Sequence, residues 1–374
     1  MTVYLDYNAT AKVRPQAAAA VARALEIGGN PSSVHAAGRA ARALVEAARH
    51  DVAELVGAKA SQVTFVSGGA EADALAIESA IGAGYDRIIV GATEHDVVAE
   101  PARLSGLPTA VWPVDARGLA DLGWLEAALS EGGRPLVCLM LANNETGVIQ
   151  PVAEAAPMVR AAGGWLHVDA VEAAGKIAVD FEALGADTLA LSAHKLGGPQ
   201  GVGALVAGPR AELHRQLHGG GQERGRRAGT ENTPGIAGFG AAARASDLAA
   251  MARQAPWRDA LAAKVAAEGA VVLGEGAPRL PQTLCFAAGG LSSELQVMGL
   301  DLAGVMVSAG AACSSGKVKA SRVAEAMGRT DLAPFALRVS GGWATTEADW
   351  VRCGEAWLEM CHRHRARRRA SAAA

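Results

Sequence analysis

Seven short apolar runs alternating with Ala-rich amphipathic stretches limit the folds open to this chain more than any other feature. The runs fall at residues 63–66, 87–90, 110–114, 136–141, 165–168, 188–191 and 204–206, and helical patterns lie between them at 71–81, 122–129 and 152–161. This alternation predicts an α/β fold with a mostly parallel seven-stranded sheet and helices on both faces. Such sheets hold ligands beyond the carboxyl ends of their strands. Ser67, His95, Asn143, Asn144, Asp169, His194 and Lys195 each come just after a predicted strand. A lone aspartate there commonly caps a helix and a lone histidine commonly packs. Their shared placement carries more weight than any one of them.

The pattern changes after a Gly/Arg-rich loop at 219–235 and a helical stretch at 236–253, with Pro256 as a plausible boundary. A helix at 257–268 follows, then short strands at 271–273, 283–286, 305–308 and 337–340. We read a large α/β domain over 16–254 and a smaller α/β C-terminal domain built from 1–15 plus 255–374. A chain of 374 residues is long enough for both. Residues 3–7 either join the smaller domain or cross the mouth of the site, and the tail 365–374 reads as unordered.

Composition excludes several classes. No apolar run is long enough to span a bilayer, and the first twelve residues lack the basic-then-apolar order of a signal peptide, so a cytoplasmic location without membrane association is expected. A net charge of −3 gives no reason to expect nucleic acid, and the basic run 362–369 reads as a solvated helix end. The five cysteines are odd in number and contain no Cys-x-x-Cys pair, which indicates neither a disulfide framework nor an intrinsic metal site. Cys138 and Cys285 lie in apolar runs and read as core. Cys313 differs, because Gly310, Ser314, Ser315 and Gly316 give it the surroundings of a loop.

Lys195 sits in Leu191-Ser192-Ala193-His194-Lys195, downstream of the strand that ends in His167-Val168-Asp169. A lysine following a carboxylate at a strand end suits pyridoxal 5'-phosphate (PLP): the amine forms a Schiff base with the cofactor aldehyde, and the acid keeps the pyridine nitrogen protonated. Ser67-Gly68-Gly69-Ala70-Glu71 reads as a Gly-rich turn opening a helix, whose backbone N–H groups at Gly69 and Ala70 suit a phosphate. Ser192 and His194 are candidate phosphate donors, His95 a candidate for stacking on the ring and shuttling protons, and Asn144 for the phenolic oxygen. Arg338, flanked by apolar residues, offers a fork for a substrate carboxylate. A mobile Cys313 adds a thiol nucleophile.

These residues belong to longer motifs that run nearly end to end. They include Tyr4-Leu5-Asp6-Tyr7-Asn8-Ala9-Thr10, Thr93-Glu94-His95, Asn143-Asn144-Glu145-Thr146-Gly147, Ser192-Ala193-His194-Lys195, Arg227-Ala228-Gly229-Thr230 and Gly310-Ala311-Ala312-Cys313-Ser314-Ser315-Gly316-Lys317. In them the chain resembles the NifS/IscS-type cysteine desulfurases, which are fold type I PLP-dependent transferases. The resemblance implies a homodimer in which Thr230 reaches the cofactor phosphate of the neighbouring subunit. It implies L-cysteine as substrate, with Asn8, Asn144 and Arg338 binding it and Lys195 moving its Cα proton. Cys313 then takes the sulfur as a persulfide, alanine leaves, and an iron–sulfur scaffold or other acceptor protein receives the sulfur. Cys313 would be at most a transient cluster ligand with such a scaffold, and its loop is similar to that of the long-loop group.

Two positions depart from the pattern. Glu172 stands where the family commonly has glutamine beside the phenolic oxygen. It must therefore be protonated, turn away or meet a protonated partner. Ala70 stands where the family usually has threonine or serine, which implies weaker cofactor retention. Ala74, commonly asparagine, is a lesser difference. The rival readings are a selenocysteine lyase or aminotransferase on the same fold, and a non-catalytic sulfur carrier whose PLP site has decayed.

Overall fold

The structure, a computed structural model, describes residues 2–310 and 320–373. The chain opens with β1 (Val3–Tyr4) and then builds the predicted large sheet from seven strands. These are β2 (Val63–Val66), β3 (Arg87–Gly91), β4 (Thr109–Trp112), β5 (Pro135–Cys138), β6 (Trp165–Asp169), β7 (Thr188–Ser192) and β8 (Gly203–Ala207), in the spatial order β2-β8-β7-β6-β5-β3-β4. Only β8 runs against its neighbours. Every residue of β2, β5, β6, β7 and β8 is buried, which explains why their sequences are nearly continuous apolar runs. The edge strand β4 instead exposes Thr109 and Val111 and buries Trp112.

The sheet ends where its ladder does. The predicted run 136–141 stops at Cys138, although Leu139 and Leu141 still donate to His167 O and Asp169 O at 3.1 and 2.8 Å. Met140 N turns to the carboxylate of Glu94, so the other side of the ladder is lost. The helices Leu122–Leu129 and Val152–Ala161 have the predicted bounds. The stretch expected at 236–253 is two helices, Thr233–Arg244 and Leu248–Ala252, because the Asp247 carboxylate accepts from Ala250 N at 2.9 Å and starts a new one.

Past the helix Ala255–Ala267 a second sheet forms from β9 (Val271–Leu273), β10 (Thr283–Ala287), β12 (Ser308–Ala309) and β13 (Ala336–Ser340). The strand expected at 305–308 is split: β11 (Val305–Met306) pairs with β1, and β12 pairs with β13. Of the segment 3–7, the first residues pack beside the second sheet and none lines the cavity described below, which the chain reaches only at Ala9 and Thr10. Val3 and Leu5 pack into an apolar cluster with Leu261, Phe286, Trp350 and Trp357, and Asp6 then bridges Ser340 on the way to that cavity. The tail expected to be unordered is instead helical, within Glu347–Ala373, as its run of strong helix formers (Ala and Arg) favours.

Gly203 marks the tightest approach to the phosphate-type turn. A Cβ there would lie 2.6 Å from Leu191 O and 2.7 Å from the carbonyl carbon of Gly68. Gly203→Ala is expected to destabilise the protein by about 1–3 kcal/mol through overpacking and to displace Gly68. Urea unfolding together with PLP retention checks this, and an unchanged midpoint with unchanged retention would rule it out.

Candidate functional site

Strand carboxyl ends deliver the polar residues to one cavity of about 630 Å³. Ser67, Gly68, Gly69 and Ala70 follow β2, His95 follows β3, Asn144 follows β5, Asp169 ends β6, and Ser192, His194 and Lys195 follow β7. Gln200 and Gly201 enter where β8 begins at the same edge, and Ala9 and Thr10 of the N-terminal segment close the opposite wall. Of the residues singled out in the sequence, Gly69, Ala70, His95, Asn144, Asp169, Glu172, Ser192, His194 and Lys195 all line this cavity.

Lys195 Nζ lies 2.6 Å from Glu172 Oε1 and also donates to the backbone oxygen of Asn8. The other Glu172 oxygen accepts from Lys176 Nζ. Glu172 is 5% exposed. Burial alone would raise its pKa, but the two ammonium groups outweigh burial and bring it to about 2. Of the three options left by the sequence, Glu172 takes the last: it is ionised and meets a protonated partner. Lys176 was missed in the sequence, although its spacing of four residues after Glu172 was the available signal.

Two histidines flank the lysine. His95 Nδ1 accepts from Val97 N at 3.2 Å at the start of the helix Asp96–Leu104, which leaves the proton of the neutral ring on Nε2. Burial and then the Lys195 charge lower the His95 pKa, and the same causes bring His194 to about 4. His194 Nδ1 sits 3.2 Å from Thr10 Oγ1.

Behind Asp169 is a polar chain with no solvent access. Trp165 Nε1 donates to Thr188 Oγ1 at 3.0 Å, and the same hydroxyl lies 3.0 Å from His167 Nδ1. His167 Nε2 lies 3.0 Å from Asp73 Oδ1. Burial pushes Asp73 up to about 8 and His167 down to about 4. Asp169 accepts from Val171 N at 2.9 Å, and burial with the nearby Asp73 raises it to about 7. Glu94, buried between these acids, is raised well above the ordinary range by burial and by Asp169.

This donor set fits PLP. No side chain caps the N-terminus of the helix Gly69–Gly82, and Gly68, Gly69 and Ala70 line the cavity, so the helix start is open to an anion there. Asp169 is an acid poised to pair with a pyridinium, and Lys195 is an amine within the same cavity.

Three expected site residues are not in the cavity wall. Asn8 is buried, with Nδ2 donating to Asn144 O at 3.1 Å and to Thr283 Oγ1 at 3.0 Å. Arg338 is buried beneath the cavity and pairs with Asp6 at 2.8 Å, while its Nη1 donates to Asn144 O at 3.2 Å. Its Nε has no partner among the described residues. Thr230 is exposed and lines a neighbouring cavity of about 250 Å³ that shares Ser67 and Gly201 with the first. Cys313 lies outside the described residues. Cys138, Cys285, Cys353 and Cys361 are buried free thiols whose pKa values burial raises, which makes them poor nucleophiles.

Residues 3–350 match the class-V aminotransferase family. A cysteine desulfurase of Cereibacter sphaeroides is 44% identical over 365 residues, covering 93% of this chain and 92% of its own. The cysteine desulfurase IscS of Dictyoglomus turgidum is 37% identical over 360 residues, covering 93% and 91%. Among solved structures, a NifS-like protein superposes with a TM-score of 0.89 at 31% identity, covering 97% of this chain and all of that one. The NifS-like protein of Rickettsia africae gives 0.87 at 29% identity, with the same coverage.

The Asp73–His167 pair makes stability depend on pH. Unfolded, the two groups release protons near 3.8 and 6.5; folded, at about 8 and about 4. The two effects offset between about 4 and 6.5. From 6.5 to 8 the folded protein holds a proton that the unfolded chain has lost, so stability falls as pH rises. The expected loss is roughly 2 kcal/mol, and Asp73→Asn should remove it; urea unfolding at both ends of that range checks this. Separately, Ala70→Thr is expected to slow PLP release by about tenfold, the worth of one hydrogen bond to a charged group, measured by dilution into a PLP trap.

Proposed function

The chain belongs to the class-V aminotransferase family, in its cysteine desulfurase branch, and on that premise we propose that it moves the sulfur of L-cysteine onto Cys313 and then to a protein acceptor. Enzymes of this family are PLP-dependent. The observation that carries the reading is the convergence of Lys195, Asp169, His95 and an uncapped helix N-terminus on one cavity.

Bound PLP supplies an electron sink that lets a Cα–H bond of the substrate ionise. The protein's own groups do the rest. Gly69 and Ala70 would hold the phosphate through backbone N–H groups, with Ser192 and His194 as side-chain donors. Asp169 would pair with the ring nitrogen, and Asn144 would bond the phenolic oxygen. Lys195 would hold the aldehyde and serve as the carrier of the Cα proton, and neutral His95, with its proton on Nε2, would lie beside the ring and exchange protons with the substrate. Arg338 is the proposed fork for the substrate carboxylate; lying outside the cavity wall and paired with Asp6, it would have to exchange Asp6 for the substrate, with Asn144 in the wall and Asn8 behind it. The Cys313 thiolate attacks the substrate sulfur: the S–S bond forms as the Cβ–S bond breaks, and the electron pair returns to a carbon skeleton that is protonated and leaves as alanine.

The acceptor in this reading is an iron–sulfur scaffold or another sulfur carrier, and any cluster ligation by Cys313 is transient. The enzyme works as a cytoplasmic homodimer in which Thr230 completes the partner's phosphate site. Support for that comes from its exposed loop, held where Glu223 and Arg224 adopt left-handed backbone angles and Glu223 receives Arg49 and Phe65 N. The division into 16–254 and 1–15 plus 255–374 is part of the same proposal, supported by separate apolar clusters around the two sheets.

Incubation with L-cysteine and PLP is expected to yield alanine, sulfide under reducing conditions, and a mass gain of one sulfur on Cys313. Cys313→Ala should abolish transfer while retaining PLP, and His95→Gln should slow turnover by roughly 100–10,000-fold. Full activity in Cys313→Ala would favour an aminotransferase, and a wild-type protein that stays colourless with PLP would favour a non-catalytic carrier.

A further inference from the structure

Lys176 is a buried cation that none of the proposed steps uses. It is 5% exposed and does not line the cavity, and its Nζ donates to Glu172 on the side away from Lys195. Burying an ammonium group is costly unless a carboxylate meets it. One acid here meets two lysines, so the trio carries a net positive charge with both lysines protonated.

We propose that Lys176 is a positioning residue: by holding Glu172 ionised and in place from behind, it sets the acidity of the nitrogen through which Lys195 binds PLP. The proposal rests on the reading of this cavity as a PLP site.

The argument is one of charge balance. When Lys195 Nζ joins the cofactor aldehyde, with loss of one water, the nitrogen is cationic only while it keeps a proton. On losing that proton it leaves Glu172 and Lys176 as a balanced pair, so release is tolerated. Without Lys176, release would strand a lone carboxylate in a buried site, and the nitrogen would keep its proton to higher pH. Without the Glu172 carboxylate, Lys176 would repel the protonated nitrogen, and the proton would leave at lower pH. Asp169, His95, His194 and Arg338 also face this trio. They are unchanged in the variants below, so they do not set the direction of the shifts.

The test is an absorbance titration of the PLP-loaded protein without L-cysteine. Lys176→Met, close in length to lysine, should raise the midpoint of the colour change by roughly one unit or more, and Glu172→Gln should lower it similarly. The double variant should fall between the two. Lys176→Arg should keep the wild-type midpoint. Lys176→Gln, which retains a donor to Glu172 without charge, should also shift upward and serves if the methionine variant folds poorly. A purely structural role would weaken PLP retention without shifts of opposite sign. The proposal is overturned if both uncharged variants leave the midpoint unmoved or lower it, or if the double variant lies outside the range of the singles. Because no substrate or acceptor is present, a protein that titrates as expected but releases no alanine would defeat the desulfurase reading and leave this one standing. A wild-type protein that takes up no PLP would defeat both.

Discussion

A buried carboxylate held between two lysines organises this site. Glu172 has little access to water, and nothing in its own burial favours charge. It remains ionised because Lys176 and Lys195 approach it from two sides, and in doing so it fixes the direction of Lys195. The Asn8 carbonyl takes a second bond from the same ammonium, so the reactive nitrogen is held by groups on two distant segments of the chain. An amine so held has lost most of its rotamer freedom before any ligand arrives, which is entropy a flexible lysine would give up on binding.

That second segment explains why the N-terminus is built as it is. Residues 3–5 are anchored in the C-terminal apolar cluster, and the chain then passes Ser340 to place Asn8, Ala9 and Thr10 against the large sheet's cavity. Asp6 neutralises Arg338, and Arg338 and Asn8 both reach Asn144 O. The result is a polar layer under the cavity, in which each group is oriented by another that comes from a different element. Arg338 keeps an unpartnered Nε there, so the pairing with Asp6 leaves part of its donor fork unused.

Most of the large sheet could be read from the sequence, because strands buried on both faces are continuous apolar runs with little else to confuse them. The second sheet was less legible: β11 and β12 are two residues each, and only their partners distinguish them from one strand. In the site, residues at strand ends were found by position alone. Those that act from behind were not. Asp73 looks like any polar residue of a helix, and Glu94 like a helix-start acid, since nothing local records that both are buried near Asp169. Arg338 was legible as a buried arginine but not as the partner of Asp6, 332 positions away.

The acids behind Asp169 carry a physical consequence for what the cavity can hold. Asp73, Glu94 and Asp169 all have raised pKa values: burial raises each of them, Asp169 and Asp73 add to the effect on Glu94, and Asp73 adds to that on Asp169. His167, which burial keeps neutral, stands 3.0 Å from Asp73 and brings no cation to these acids. A neutral aromatic ring placed against Asp169 would leave its raised pKa unchanged. A protonated ring nitrogen would favour the ionised form of Asp169, while Asp73, which keeps its proton up to about 8, adds no charge. The floor of the cavity is therefore selective for a cation at one point, while its far end, the uncapped helix Gly69–Gly82, favours an anion. A ligand cationic at one end and anionic at the other satisfies both, and only one orientation allows it.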